Sequence, residues 1–385
     1  MAPANAAKKI LLISHSSHPG GAQNSLLHLV GQLQSLGHSC SILFPSAHGG
    51  FIENCSSRGI PCFHMPFQWS LPFPKEGLSE LIDDKIRLAA DQLKEHQFDL
   101  VITNTIVLLI GAELALRLDV PHIVFVLELI NSDGSLKPIG LSVDSYIQYL
   151  DNKTTGWLAC SNSVKRMIVS SGKINPEKVF VFYPKTCGKN NIKNESPRLS
   201  PVFRKNKKWK IILIGEQSNR KNPIFGLHVL RLLRQRGCNV YLDHFGVSSS
   251  AHEQFMSEIN SEGLSKYVRC HGWSKSPLEN LPAESIHLIT ATCEPFGLTV
   301  PECIGAGIPV ISSRCGGPEE MLPSNCLYDI GDASGCAALL ENLMTNEGSY
   351  FDAVVETRLM HEGVLDDGKQ LESLGIWSQK YFEKH

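Results

Sequence analysis

No stretch of about eighteen consecutive apolar residues occurs in the 385-residue sequence, which argues against a membrane-spanning helix. Charge of one sign is equally scarce. Against 36 Lys and Arg stand 38 Asp and Glu, and a net charge of −2 gives no global electrostatic case for nucleic acid as a partner. The opening MAPANAAKKI lacks an apolar stretch behind a basic start, so it does not read as a secretion signal. Twelve cysteines are present, yet they form no C-x-x-C pair and no zinc-like spacing. Most, such as Cys40 in HSCSILF and Cys303 in PECIGAG, sit in apolar surroundings and read as reduced core thiols of a cytoplasmic protein. No metal site is expected from them.

What the chain does have is a regular alternation of short apolar runs and amphipathic stretches. KKILLIS (8–14), SCSILFP, IPCFHMPF, FDLVITNT, VPHIVFVLE, TTGWLACS and KVFVFYP read as strands. Between them lie helical stretches, beginning with NSLLHLVGQLQSLG (24–37) and including FIENCSSRG and residues 76–96. Doubly apolar strands alternating with helices imply an α/β fold with a parallel sheet covered on both faces. The rhythm stops at 185–208, KTCGKNNIKNESPRLSPVFRKNKK, a polar and basic segment that reads as a linker. A patch meeting anionic lipid or phosphate at a membrane surface is the alternative for it. A second set follows: WKIILIGE, a helix over 222–236, NVYLDHFG, a helix over 250–262, KYVRCHGW, a short helix near 277–285, IHLITATC, IPVISS and NCLYDIG. Such a length exceeds one ordinary core. Two doubly wound domains are therefore expected, 1–184 and 209–370, with a terminal helix at about 371–385. Ligands of open parallel sheets bind beyond the carboxyl ends of the strands, so two facing sheets would place a cleft between them.

The stretch HPGGAQNSLLHLV (18–30) puts Gly20 and Gly21 just beyond the first strand. Glycine there serves either a tight turn with positive φ or a close approach of a ligand to bare backbone. The most informative segment is CEPFGLTVPECIGAGIPV (293–310), in which Glu294 and Glu302 are separated by seven residues. Phe296, Gly297, Leu298 and Thr299 connect a strand to a new helix, Pro301 fits its first turn, and Gly305 and Gly307 end it before Pro309. A strand-loop-helix with glycine at the turn suits a phosphate. Glu302 is placed to accept both hydroxyls of a ribose, and Glu294 to reach hydroxyls of a transferred sugar. Hydrogen bonds to a charged group contribute about 1.5–3 kcal/mol each. In isolation Glu302 would only complement the helix dipole, worth about 0.3–1 kcal/mol.

Segment 293–310 resembles the E-x7-E signature of the family 4 retaining glycosyltransferases, whose usual form is close to EGFGLTxxEAxAxGxPVI. SSRCGGPEEML resembles the GG-x-x-E stretch of that family, and HPGGAQNSLLHLV its N-terminal glycine loop and first helix. IPCFH, TNT and VPHIVFVLELI fall where the family has equivalent segments, so the resemblance spans most of the chain. It implies a GT-B fold: two Rossmann-like, doubly wound parallel-sheet domains facing a central cleft. The first would be the acceptor side, the second would bind the donor, and the last helix would cross back onto the first. The implied reaction is glycosyl transfer from a UDP- or GDP-sugar co-substrate to a glycan, lipid-linked or small-molecule acceptor. Retention at the anomeric carbon is implied too, with no cofactor and no metal.

By the same resemblance Gly21 abuts the donor phosphates, and Gln23, Asn24, His15 and His18 are candidate acceptor contacts; capping of the first helix is the plainer role for Asn24. In LIGEQSNRKNPIFG, Lys221 matches the lysine that clamps the diphosphate and, with Glu294, is a candidate catalytic residue. Glu216 stands where the family has arginine, and is expected to turn away while Arg220 substitutes. Leu127 stands where the family often carries histidine or arginine. CHGWSKSP resembles the loop that seats the nucleotide base, through the backbone of His271 and Gly272, with Trp273 stacking on the base or lying in the core. The departures at Glu216 and Leu127 support a rival reading, a non-catalytic GT-B subunit that binds sugars or stabilises a partner transferase. A nucleotide-sugar epimerase of similar fold explains the E-x7-E block less well.

Overall fold

The computed structural model describes residues 7–67, 80–133, 136, 141–185, 201, 203 and 207–382. The linker expected over 185–208 therefore lies largely outside the described residues. The chain divides into two compact units, Met1–Cys187 together with Asp366–His385, and Gly188–Leu365. Each is a Rossmann-like α/β unit with an all-parallel sheet.

In the amino-terminal unit seven strands, β1 (Lys9–Ser14), β2 (Ser39–Phe44), β3 (Cys62–His64), β4 (Leu100–Asn104), β5 (His122–Val126), β6 (Gly156–Ala159) and β7 (Val179–Val181), run in the order β3-β2-β1-β4-β5-β6-β7. The carboxy-terminal sheet has six: β8 (Trp209–Ile214), β9 (Val240–Phe245), β10 (Val268–Cys270), β11 (Ser285–Ile289), β12 (Val310–Ser313) and β13 (Leu327–Tyr328), ordered β10-β9-β8-β11-β12-β13. Apolar residues fill both faces because helices cover both, and Ile10 to Ile13 of β1 are fully buried on alternate sides. In each sheet the strand order reverses beside the first strand, between β1 and β4 and between β8 and β11. Connections leave in opposite directions at such a switch point, which opens a crevice at the carboxyl ends of those strands.

Two expected elements differ. The first helix is Gly21–Ser35, beginning three residues before the expected Asn24. Gly20 is extended (φ −175°, ψ 176°) and its carbonyl accepts the Asn24 N–H at 3.0 Å, so Asn24 lies in the first turn and Gly20, not Asn24, is the N-cap. Neither Gly20 nor Gly21 uses positive φ, which removes the tight-turn reason for the pair. Residues 277–280 form turns in place of the expected short helix. Asn280 in the left-handed region (φ 60°), followed by Pro282, stops helical propagation there. Trp273, 70% exposed, is not a core residue. Cys270 is exposed as well, unlike the core thiols, among which burial pushes Cys40 up to about 12.

The helix Asp367–Phe382 belongs to the amino-terminal unit. Gln370 exchanges two hydrogen bonds with the Tyr183 backbone (2.9 and 3.0 Å), and Trp377 stacks on Phe180 at 5.5 Å while meeting the Tyr381 ring edge-on at 4.7 Å. Gly156 of β6 makes room for these rings, since a Cβ there would lie 2.8 Å from Tyr381 Cζ. Among the described residues no helix is long and apolar enough to cross a membrane. Removing the buried Trp377 ring should cost about 3–5 kcal/mol of stability. Urea unfolding of Trp377→Ala is expected to show that loss in the transition reporting the amino-terminal unit, and an unchanged transition would contradict this packing.

Candidate functional site

In the carboxy-terminal unit, β8 and β11 each run into a loop and a helix at the switch point. The β8 loop ends at Asn222, which caps the helix Pro223–Gln235 with Pro223 at its start; the β11 loop leads to the helix Thr299–Gly305. The two loops are joined by their backbones. Thr290 Oγ1 donates to the Lys221 carbonyl at 2.7 Å and the Thr292 N–H to the Arg220 carbonyl at 2.9 Å. Glu294 is further held by the loop after β12: its N–H donates to Cys315 O and its carbonyl accepts from Gly317 N, both at 2.8 Å.

This frame brings four charged side chains together. Lys221 Nζ is ion-paired with Glu294 Oε2, and Arg220 Nη1 lies 3.5 Å from the same oxygen and 3.2 Å from the Cys293 carbonyl. Arg220 Nη2 is 3.7 Å from Glu216 Oε1. Glu216 thus does not turn away as expected. It faces Arg220 and lines, with Lys221, His244, Glu294 and Thr299, a cavity of about 20 Å³ at the strand ends. Burial pushes the Glu294 carboxyl up, but Lys221 and then Arg220 outweigh it, with the Gly297 N–H adding, so that Glu294 is held below the usual carboxylate range. The carboxylate is ionised at neutral pH.

Gly297 has φ +90°, and a Cβ on it would lie 2.9 Å from Pro318 Cγ, so the turn needs glycine on both counts. Its N–H is spent on Glu294, and Phe296 is buried, leaving only backbone to offer a ligand. Thr299, where the helix starts, is anchored from below by His287, a residue the sequence reading missed. Burial pushes His287 down to about 4. Its Nδ1 faces Ile212 O at 2.9 Å and so carries the proton, leaving Nε2 to accept from Thr299 Oγ1 at 3.0 Å. Glu302 lies half-buried in the first turn, pushed up to about 7 by burial, and no described residue donates to its carboxyl. Beyond β10, Gly272 has φ +71° and its carbonyl accepts from Gly246 N at 2.8 Å, while the His271 ring stacks on Phe245 at 4.3 Å.

The remaining candidates belong to the amino-terminal unit. Gly21 opens the first helix and is exposed. Gln23 is buried, with Nε2 3.4 Å from His15 Nε2, and burial pushes His15 down to about 4. His18 is exposed, its N–H bonded to Ser16 Oγ at 3.1 Å. Leu127 follows β5, and its N–H donates to Glu128 Oε2 at 3.0 Å. Glu128 was also missed; its signal is an acidic residue interrupting the apolar run VFVLELI.

Two Rossmann-like units, each built on an all-parallel sheet, are the architecture of the GT-B fold. The model described as Glycosyltransferase Family 4 matches residues 19–184, and the one described as Glycosyl transferases group 1 matches 196–357. The chain belongs to the family 4 glycosyltransferases of the GT-B fold. It is similar to the lipopolysaccharide core biosynthesis glycosyltransferase LpsE of Rhizobium meliloti, 31% identical over 104 residues. That match covers 26% of this chain and 29% of the length of LpsE. Among solved structures, Anabaena Alr3699/HepE in complex with UDP and glucose aligns with a TM-score of 0.75 at 18% identity, covering 97% of this chain and 100% of that one. A mutant of S. aureus TarM in complex with fondaparinux, α-GlcNAc-glycerol and UDP aligns with a TM-score of 0.71 at 12% identity, covering 98% and 100%. At these identities the likeness is one of fold.

Glu302 gives a pH prediction. Its carboxyl titrates at about 7 in the folded protein against 4.5 without burial. The native state therefore binds more protons between those values, and stability falls as pH rises through that window. Glu302→Gln, which carries no charge to desolvate, is expected to raise Tm at pH 8 and leave it nearly unchanged at pH 4.5. An equal Tm shift at both pH values would show that burial does not govern this carboxyl.

Proposed function

We propose that the protein transfers a sugar from a nucleotide-sugar donor to an acceptor hydroxyl, with retention of anomeric configuration and no metal ion. The observation that carries this reading is the pair of cations, Lys221 and Arg220, gathered on one largely covered carboxylate at the β8/β11 switch point. A lone buried ion pair is weak evidence for stability, because desolvation offsets much of its attraction. Two cations beside a helix start at the ligand-binding end of a parallel sheet make chemical sense as a diphosphate clamp.

In this reading the diphosphate of a UDP- or GDP-sugar lies against Lys221, Arg220 and the backbone at Leu298 and Thr299. Glu302 accepts the ribose hydroxyls and its ionised form is stabilised by them. Glu294, kept as a carboxylate by its cations, accepts hydroxyls of the transferred sugar. The loop at His271 and Gly272 seats the base. As the bond from the anomeric carbon to the diphosphate breaks, its electron pair leaves on the diphosphate, and Lys221 stabilises that developing charge. In the amino-terminal unit the acceptor is assigned to the surroundings of Gly21, with His15, Gln23, Asn24 and His18 as its candidate contacts. UDP in the HepE and TarM structures and the name of LpsE support the donor and reaction class. Arg220 supplies the guanidinium that the family places at position 216, although Glu216 draws on part of its charge.

Steady-state transfer tests the clamp. Lys221→Ala is expected to lower kcat/KM by about tenfold to a hundredfold, the equivalent of one charge-assisted hydrogen bond, and Arg220→Ala by clearly less. Near-normal kcat/KM in a folded Lys221→Ala protein would remove the clamp. Transfer is also expected to survive EDTA. Complete loss on chelation, restored by Mg²⁺ or Mn²⁺, would assign the diphosphate to a cation instead.

A further inference from the structure

We propose that Glu128 of the amino-terminal unit receives a hydroxyl of the acceptor substrate. The proposal rests on the glycosyl-transfer reading and adds to it a residue that neither the E-x7-E block nor the glycine loop contains.

Glu128 stands two residues past Val126, the last residue of β5, at the carboxyl edge of the parallel sheet where such sheets bind ligands. One of its oxygens is anchored. Oε2 accepts the Leu127 N–H at 3.0 Å and the Ile106 N–H at 3.1 Å. The second of these donors follows a residue in a strained conformation. Thr105, directly before Ile106, has φ +98°, a region that a β-branched residue rarely enters. On the other side of Ile106, its carbonyl accepts the buried Tyr146 hydroxyl at 2.7 Å. A strained peptide on one side and a buried phenol on the other thus aim the Ile106 N–H at the carboxylate. Strain of this kind persists where the surroundings over-determine it, and it clusters at functional sites.

The other oxygen, Oε1, receives no hydrogen bond from any described residue, and Glu128 is half-buried, so the group retains some surface. No described Lys or Arg pairs with it. The titratable groups that act on it are Asp133, in the segment that follows β5, and Tyr146, on the helix Val143–Asp151. Burial pushes Glu128 up to about 7 against the pull of the Ile106 and Leu127 N–H groups, and Asp133 adds to the rise. A carboxylate serving the fold alone would find a cation or a full set of donors. Among the described residues this one keeps an oxygen open. The end of β4 beside it also holds two buried oxygens without a partner among the described residues, Asn104 Oδ1 and Thr105 Oγ1. An anchored carboxylate with one open oxygen suits a donor of hydrogen bonds that is itself uncharged, which is a sugar or polyol hydroxyl. It also supplies a polar group one residue beyond Leu127, whose side chain offers none.

The test compares wild type, Glu128→Gln and Glu128→Asp in transfer assays from pH 6 to 8.5. UDP-glucose and GDP-mannose are the donor probes and alkyl glucosides the acceptor probes, with donor and acceptor varied separately. Gln keeps a carbonyl oxygen for the two backbone N–H groups at the same size, and thermal unfolding verifies its fold. Glu128→Gln is expected to lose about tenfold to a hundredfold in kcat/KM for the acceptor at unchanged donor KM. Wild-type kcat/KM for the acceptor should rise with pH through about 7 as the carboxylate ionises. At saturating donor, where the ribose hydroxyls hold Glu302 ionised, the Gln variant should be flat there, and Glu128→Asp should keep the pH limb with a smaller loss. Wild-type acceptor kinetics in Glu128→Gln, a loss that falls equally on donor KM, or a pH limb that survives in the Gln variant would each overturn the assignment while leaving the transferase reading intact. No turnover by wild type with any probe pair, together with no binding of UDP or GDP, would reject the transferase reading and this proposal with it.

Discussion

The ammonium of Lys221 rests on the carboxylate of Glu294, and Arg220 approaches the same oxygen to 3.5 Å. These contacts join the loop that follows β8 to the loop that follows β11, across the point where the strand order of the carboxy-terminal sheet reverses. Neighbouring groups of that unit hold them in place. Thr290 and Thr292 fix the backbone of the two cations, Cys315 and Gly317 fix that of Glu294, and neutral His287 fixes Thr299. A protein seeking only stability would gain about as much from apolar residues at these positions. The charges are retained where a parallel sheet presents its ligands.

Three carboxyls show how environment divides one side-chain type into different roles. Glu294, Glu302 and Glu128 are all pushed up by burial. Of the three, Glu294 has described cations against it and ends below the usual range. Glu302 and Glu128 are left at about 7, so each gains from a ligand that donates hydrogen bonds to the ionised form. The first stands in the first turn of the helix Thr299–Gly305, the second past the end of β5 in the other unit. Both positions lie near the carboxyl ends of parallel strands.

Much of this was legible in the sequence. Runs such as KILLIS and HIVFV are apolar on both faces, so parallel strands follow from them directly, and E-x7-E between a strand and a glycine turn marked the loop whose Glu294 meets Lys221. Pairings that depend on tertiary contact were not legible. Glu216 read as a repelled carboxylate because its contact with Arg220 depends on how the loop folds back. The first helix read as starting at Asn24 because two glycines are poor helix formers, yet the Gly20 carbonyl begins the hydrogen-bonding three residues earlier. His287 and Glu128 were passed over inside apolar runs. A polar residue at such a position has to be bonded or functional, and which of the two holds depends on partners distant in sequence, Ile212 and Thr299 in one case and Ile106 in the other.

In the proposed reaction the Lys221–Glu294 site receives a nucleoside diphosphate. Calorimetric titration of UDP and of GDP into the wild-type protein at low and high salt measures this most directly. Saturable one-to-one binding of at least one of them is predicted, with an affinity that falls as salt screens the cations and a heat that disappears when Lys221 is replaced by Met. Absence of binding by both nucleotides, or binding of equal strength in the Lys221→Met protein, would contradict the account.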